Sequence, residues 1–212
     1  MNINNIRDIF ENRTSRIDGK LHSFSVLIPL MYIDKEPHIL FEIRSLNMKT
    51  QPGEICFPGG RVECDENTET AAIRETCEEL MISPKHIEVI GKSDKVITPF
   101  DFIIHPYVGI IKDIRPEDMD FNKDEVHKVI TVPLKYFLET KPEQYVISSN
   151  LILPDDFPFH MIQNGDKYNW KTGKYPILFY EYEGNIIWGM TARMIRSFVK
   201  ILQSNEWELI DL

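Results

Sequence analysis

The 212-residue chain has no long apolar run, no paired-cysteine spacing and no surplus of positive charge. Each absence removes a class of function. Without about 18 consecutive apolar residues, no membrane-spanning helix is expected. The first residues, MNINNIRDIFENR, place Asp8 and Glu11 where a secretory signal would carry its apolar stretch, so a cytoplasmic location is expected. The three cysteines, Cys56, Cys64 and Cys77, are odd in number and lack CxxC spacing, which argues for reduced thiols and against a disulfide framework or zinc site. A net charge of -9 supplies no clustered Lys and Arg for nucleic acid or an anionic membrane. A small phosphorylated ligand met through metal ions stays compatible with that charge. There is no internal repeat and no low-complexity linker, and 42% hydrophobic with 11% aromatic residues excludes a disordered composition. A single folded domain over residues 1–212 is expected.

What is present is a strand-rich chain with a few helices. Ile6, Ile9 and Phe10 suit one face of a short N-terminal helix. HSFSVLIPLMYI and HILFEIRS read as two strands joined by DKEP, and GEICFPGG as a short strand entering a loop. HIEVIGKSDKVI, DFIIHPYVGII and KVITVPL read as further strands, and PLKYFLE as a short helix. YPILFYEYEGNIIWG reads as a hairpin turning at Glu183, Gly184 and Asn185, before a closing helix that Thr191 can cap and whose Ile195, Phe198, Val199 and Leu202 follow helical spacing. Residues 148–174, rich in Pro, Asp, Asn and Gly, form the expected long loop. Contiguous strands with scattered helices predict α+β architecture, a mixed sheet between helices.

One segment is crowded with carboxylates: GRVECDENTETAAIRETCEELMI, from Gly60. At about 100° per residue, Glu79 lies roughly 40° to one side of Glu75 and Glu78 roughly 60° to the other. Three carboxylates therefore share one helix face, with Ile73, Cys77 and Leu80 opposite and small Ala71 and Ala72 on the acidic side. Like charges so placed repel. A divalent cation such as Mg²⁺ or Mn²⁺, which prefers oxygen ligands, removes the penalty.

The spacing of Gly60, Glu66, Arg74, Glu75, Glu78 and Glu79 resembles the Nudix box, GX5EX7REUXEEXGU, over residues 60–82. The resemblance implies a Nudix-type α/β/α sandwich and a hydrolase of nucleoside diphosphates linked to another group. It implies Glu75, Glu78 and Glu79 as ligands of Mg²⁺ or Mn²⁺, with the main-chain carbonyl of Gly59. It also implies an ion pair of Arg74 with Glu66 that orients the acidic residues. Thr76 stands where the pattern has an aliphatic residue, and Met81 where it has the glycine that gives left-handed backbone at the helix end.

Upstream, Arg44-Ser45, Lys49, Gly53 and Phe57-Pro58-Gly59-Gly60 are similar to the motif LLTXRSXXXRXXXGXXXFPGG of coenzyme A pyrophosphatases, with Lys49 in place of Arg. NIIWGMTARMI and NKDEVHKVITVPLKYFLE also resemble that subfamily, and a C-terminal extension covers about residues 140–212. The resemblance implies coenzyme A or a thioester as substrate, with Arg44, Ser45, Lys49, Phe57, Gly59 and Gly60 at the ligand. Arg44 and Lys49 suit phosphate on charge alone. Glu125, in DEV, is the candidate general base outside the glutamate helix. ADP-ribose, a nucleotide sugar or a dinucleotide remain alternative substrates, and a ligand-binding module without turnover is the alternative of another class. A second copy of the chain is left open as a partner.

Overall fold

The computed structural model describes residues 2–11, 13–14, 17–19 and 21–204. Helix α1 (Ile3–Glu11) is capped reciprocally, Asn5 N donating to Asn2 Oδ1 at 3.0 Å and Asn2 N to Asn5 Oδ1 at 3.3 Å. None of its residues is buried, so its apolar face adds nothing to the core. No helix among the described residues is long and apolar enough to cross a membrane.

Strands β1 (His22–Ile33) and β2 (Glu36–Arg44) form the expected hairpin. Asp34 and Lys35 turn it with φ of 49° and 70°, the mirror-image geometry that matches strand twist. The two strands stay paired only from Leu30↔Ile39 to Ile33↔Glu36. Beyond that they part, and β3 (Ile55–Cys56) with β4 (Gly59–Arg61) fills the opening. β3 takes the far half of β2 through Glu42↔Cys56, and β4 takes the near half of β1 through Val26↔Gly59.

Next come helix α2 (Thr68–Leu80) and strands β5 (Ile87–Lys92), β6 (Val96–Ile97), β7 (Phe102–Ile111) and β8 (Val126–Pro133). β7 runs parallel to β1, whereas β5 and β6 pair antiparallel with β7, and β8 with β2. The sheet is therefore mixed. Helix α3 (Leu134–Glu139) precedes a three-stranded antiparallel sheet of β9 (Glu143–Ser149), β10 (Gly173–Tyr182) and β11 (Asn185–Trp188), and helix α4 (Gly189–Gln203) closes the described chain. Residues 205–212 of the expected C-terminal extension lie outside the described residues.

Alternation along β2 sends Ile39, Phe41 and Ile43 to one face and Leu40 and Glu42 to the other. The first set packs with Phe57, Phe137 of α3 and Ile195 and Phe198 of α4. Leu40 packs instead with Leu80 of α2, Ile82 and Met119. Helices thus cover both faces, the α+β sandwich expected. Phe41, 0% exposed, stacks on Phe57 at 4.9 Å between ring centroids. Truncating either ring to alanine costs about 3–5 kcal/mol.

Three local expectations differ from the structure. Strand β9 carries no sequence signal because all seven of its residues are exposed, so neither face alternates. Trp188, not Thr191, is the N-cap of α4. Thr191 is buried inside the helix and its hydroxyl donates to Ile55 O at 3.0 Å, tying α4 to β3. Leu202 is 44% exposed, because α4 outruns the sheet it packs on.

Candidate active site

Helix α2 is fixed at both ends. Asn67 caps it, its side chain accepting from Glu69 N at 3.0 Å and Thr70 N at 2.9 Å. Buried Ser25 of β1 donates to Thr68 O at 2.5 Å, and Thr68 Oγ1 bonds the Tyr107 hydroxyl at 2.6 Å. At the other end Met81 adopts the left-handed backbone, φ 50° and ψ 36°, without being glycine. Glu79 O accepts from Asn122 N at 2.8 Å, which brings residues 119–125 against the helix.

The helix is rolled from the orientation its wheel predicts. Ala71, Ala72, Thr76, Glu79 and Leu80 are buried, whereas Ile73 and Cys77 are only half-buried. Thr76 tolerates a fully buried position because its hydroxyl donates to Ala72 O at 2.7 Å. The roll turns Glu79, 5% exposed, inward over the opening between β1 and β2.

There the two glycines act. Gly59 N donates to Glu79 Oε2 at 2.7 Å. A Cβ on Gly59 would stand 2.3 Å from Ser25 O, and a Cβ on Gly60 would stand 2.4 Å from the Glu75 carboxyl carbon. At Gly59 the clash is with backbone, so the position requires glycine; at Gly60 it is with the end of a side chain, which would have to move aside.

Arg74 organises the outer carboxylates. Its Nη2 donates to Glu66 Oε1 at 2.8 Å and to Arg61 O at 3.2 Å, and its Nε to Glu66 Oε2 at 3.2 Å. Its Nη1 reaches Glu75 Oε1 at 2.9 Å and Glu78 Oε2 at 3.1 Å. Glu66 also accepts from Glu63 N at 2.7 Å, so one ion pair locks the loop before the helix. The bonds from Arg74 hold the Glu66 carboxyl below the usual carboxylate range. Burial pushes Glu75 up against the opposing pull of Arg74. Burial and the negative charge of Glu42 push Glu79 up, although its bond from Gly59 pulls the other way.

The upstream residues are divided. Arg44 ends β2, Gly53 N donates to Arg44 O at 3.1 Å and Arg44 N to Glu54 O at 3.0 Å, closing a loop on which Lys49 is exposed. Ser45 is 4% exposed, its N donating to Glu125 O at 2.7 Å. That bond sets Glu125 beside the carboxylates, where its charge acts on Glu42, Glu75 and Glu79. Phe57 differs from the residues around it: at 2% exposed, it packs in the core on the face of the sheet that carries Phe41 and Phe137. Glu42, which sequence reasoning passed over, is 1% exposed and sits within the acidic group. Its signal was a lone carboxylate inside the apolar ILFEIR.

Among the described residues no three His, Cys, Asp or Glu side chains stand preassembled around an ion. Arg74 draws Glu75 and Glu78 to itself. The donor set nonetheless fits a hard divalent cation: it is all carboxylate oxygen, and a buried Glu42 Oε2 has no hydrogen-bond partner. Two surface hollows, about 440 and 570 Å³, lie apart from the carboxylates.

The NUDIX domain pattern matches residues 22–151. The chain is 34% identical over 150 residues to peroxisomal coenzyme A diphosphatase NUDT7 of Mus musculus, covering 68% of this chain and 60% of that protein. It is 40% identical over 114 residues to Nudix hydrolase 3 of Caenorhabditis elegans, covering 53% and 48%. It thus spans about half to three-fifths of the length of these two relatives. Nudix hydrolase NudL of Escherichia fergusonii is 32% identical over 176 residues, covering 81% and 78%. In fold, a MutT/nudix family protein from Enterococcus faecalis superposes with a TM-score of 0.52 over 98% of this chain and 72% of its own, at 15% identity. Nudix hydrolases generally use divalent metal ions. With the pattern matched over more than half of its length and a 32% identical relative covered by 78%, the chain belongs to the Nudix hydrolase family.

Proposed function

We propose that the chain hydrolyses the diphosphate bond of coenzyme A or its thioesters with Mg²⁺ or Mn²⁺, releasing 3′,5′-ADP and 4′-phosphopantetheine or its acyl form. The observation that carries this reading is the course of residues 44–60, one short stretch that begins at Arg44 and ends with Gly59 and Gly60 against Glu79 and Glu75. That course would hold phosphate-binding cations and metal-binding carboxylates in one frame. The named activity of the mouse relative points the same way.

Glu75, Glu78 and Glu79 would hold the cation together with the Gly59 carbonyl. A bound divalent ion neutralises phosphate oxygens and lowers the pKa of a water. Arg74 keeps Glu75 and Glu78 from swinging into solvent until they are needed. Arg44 and Lys49 take the phosphate oxygens, and Glu125 accepts the proton of the attacking water as hydroxide adds to phosphorus and the bridging P–O bond breaks. Water attacks in line, on the side of phosphorus opposite the bridging oxygen that leaves. The neutral pantetheine arm suits apolar surface: Pro52 and Gly53 of the loop face Phe179 and Trp188 across the smaller hollow, and these rings stack at 5.9 Å.

The test is chromatography with mass detection after incubation with Mg²⁺ or Mn²⁺ and, separately, coenzyme A, acetyl-coenzyme A, ADP-ribose and NADH. Release of 3′,5′-ADP from coenzyme A, abolished in Glu79→Gln, is expected. Preferential cleavage of ADP-ribose or NADH would overturn the substrate, and ligand binding without any cleavage would make the chain a sensor.

A further inference from the structure

Glu42 Oε2 and Arg44 Nε are both buried, and neither has a hydrogen-bond partner among the described residues. The two side chains are two residues apart on β2, across a register irregularity between Ile43 and Arg44, and the positive charge of Arg44 acts on Glu42. They carry opposite charge and do not pair with each other, although an orphaned buried polar atom is costly. Ligands of opposite charge would satisfy them: a cation the carboxylate oxygen, an anion the guanidinium.

Glu42 is also held in place. Cys56 stands directly across from it in the ladder, and its thiol donates to Glu42 Oε1 at 3.3 Å. One carboxylate oxygen is fixed, and the other is the buried atom without a partner. Among the charges acting on Glu79, that of Glu42 is the largest, and Glu75 and Glu125 act on Glu42 in turn. In the upstream motif LLTXRS, threonine occupies the position of Glu42, so this carboxylate is an addition to the pattern.

We propose that Glu42 belongs to the divalent-cation site, its Oε2 taking the ion directly or through an ion-bound water while Cys56 positions Oε1. This rests on reading the acidic helix as a metal site. A carboxylate from the sheet then faces those from the helix, and the ion would sit between β2 and α2. The neighbouring Arg44 is left to receive an oxygen of the diphosphate carried by the same ion.

The experiment is Mn²⁺ binding to the metal-stripped full chain without substrate, by titration calorimetry and by electron paramagnetic resonance of free Mn²⁺. Wild type is compared with Glu42→Gln, Glu42→Thr, Glu79→Gln and, as a charge control on the exposed first turn of α2, Glu69→Gln. Glu42→Gln is isosteric and is expected to weaken Mn²⁺ binding by about 10-fold or more while melting at or above the wild-type temperature. Glu69→Gln is expected to bind as wild type does. Cys56→Ala is expected to weaken binding several-fold, and Cys56→Ser to recover it. If Glu42→Gln and Glu42→Thr bind Mn²⁺ as wild type does while Glu79→Gln does not, the inference is wrong and the proposed function stands. A wild-type chain that binds no Mn²⁺ would overturn both.

Discussion

Met81→Gly should stabilise the protein, and the reason lies in one pair of angles. Met81 ends α2 at φ 50° and ψ 36° with its side chain 60% exposed. A residue with a Cβ spends about 1–2 kcal/mol in the left-handed region, a cost glycine does not carry. Glycine gains back about 0.4–1 kcal/mol of freedom in the unfolded chain, which works against the substitution. The mostly exposed methionine gives up little burial. The net gain is about 0.5–1 kcal/mol, which for a chain of this size raises the melting temperature by roughly 1–4 °C. Calorimetric melts of wild type, Met81→Gly and Met81→Ala at matched metal concentration read this directly. Alanine keeps the backbone cost and loses the side chain, so it should melt at or slightly below wild type. Product release by Met81→Gly should equal that of wild type, because the helix end keeps its shape. A glycine variant melting about 2 °C or more below wild type would refute the reasoning: packing of the methionine, not backbone strain, would then dominate at that position.

The remaining expectations concern the charges and the glycines. Arg74→Lys replaces a fork that serves Glu66, Glu75 and Glu78 by a single ammonium; it should cost about 1–2 kcal/mol in thermal melts and lower product formation by at least about 10-fold. The two glycine-to-alanine changes should part company. At Gly60 the new Cβ meets the Glu75 carboxyl, the movable end of a side chain, so the fold should survive with Mn²⁺ affinity and turnover reduced. At Gly59 it meets Ser25 O and Val26 Cα, backbone that has no room to yield, so loss of about 3 kcal/mol or more of stability is expected, read by denaturant unfolding. Equal stability of the two variants would contradict this difference. In chelator, stability should fall as pH rises, because burial raises Glu42 from 4.5 to about 7 and also raises Glu79. A raised folded value favours the neutral acid, so its contribution is full below pH 4.5, is lost as pH climbs through about 7, and amounts to at most about 3 kcal/mol for Glu42. Mn²⁺ should flatten the slope, since an ion favours the carboxylates; melts in chelator that rise from pH 5.5 to 8 would sink this account.

How much of this was legible depended on how local each signal is. Fixed spacing showed the acidic helix, and the turn at Glu183-Gly184 needed only neighbours. The roll of α2 was not readable, since it depends on Ser25 and Tyr107 gripping Thr68 from strands distant in sequence. The wheel took Cys77 for core and left buried Thr76 unplaced, because it knows nothing of the hydroxyl bond to Ala72 O. Phe57 stands inside the upstream motif, yet just past β3 its ring packs into the core beside Phe41. Glu42 was hidden for the opposite reason: a strand pattern with one charge in it reads as an edge until Cys56 and Glu79 are seen around that charge. Glu125 was reached by motif alone, and only the loop bonded to Ser45 and Asn122 shows why it belongs with the helix.

The parting of β1 and β2 bears on when the site can form. The tip of their hairpin closes with neighbours in sequence, but the half of β1 that faces Gly59 is aligned by β7, with Ser25 opposite His105 and Val26 opposite Pro106. Contacts of such long sequence separation are the slow ones in folding. A chain with α2 formed but β7 not yet docked has its glutamates and lacks the wall they close against. On the proposed metal reading, affinity for the ion would be acquired late in folding, and Mn²⁺ should slow unfolding far more than it speeds refolding.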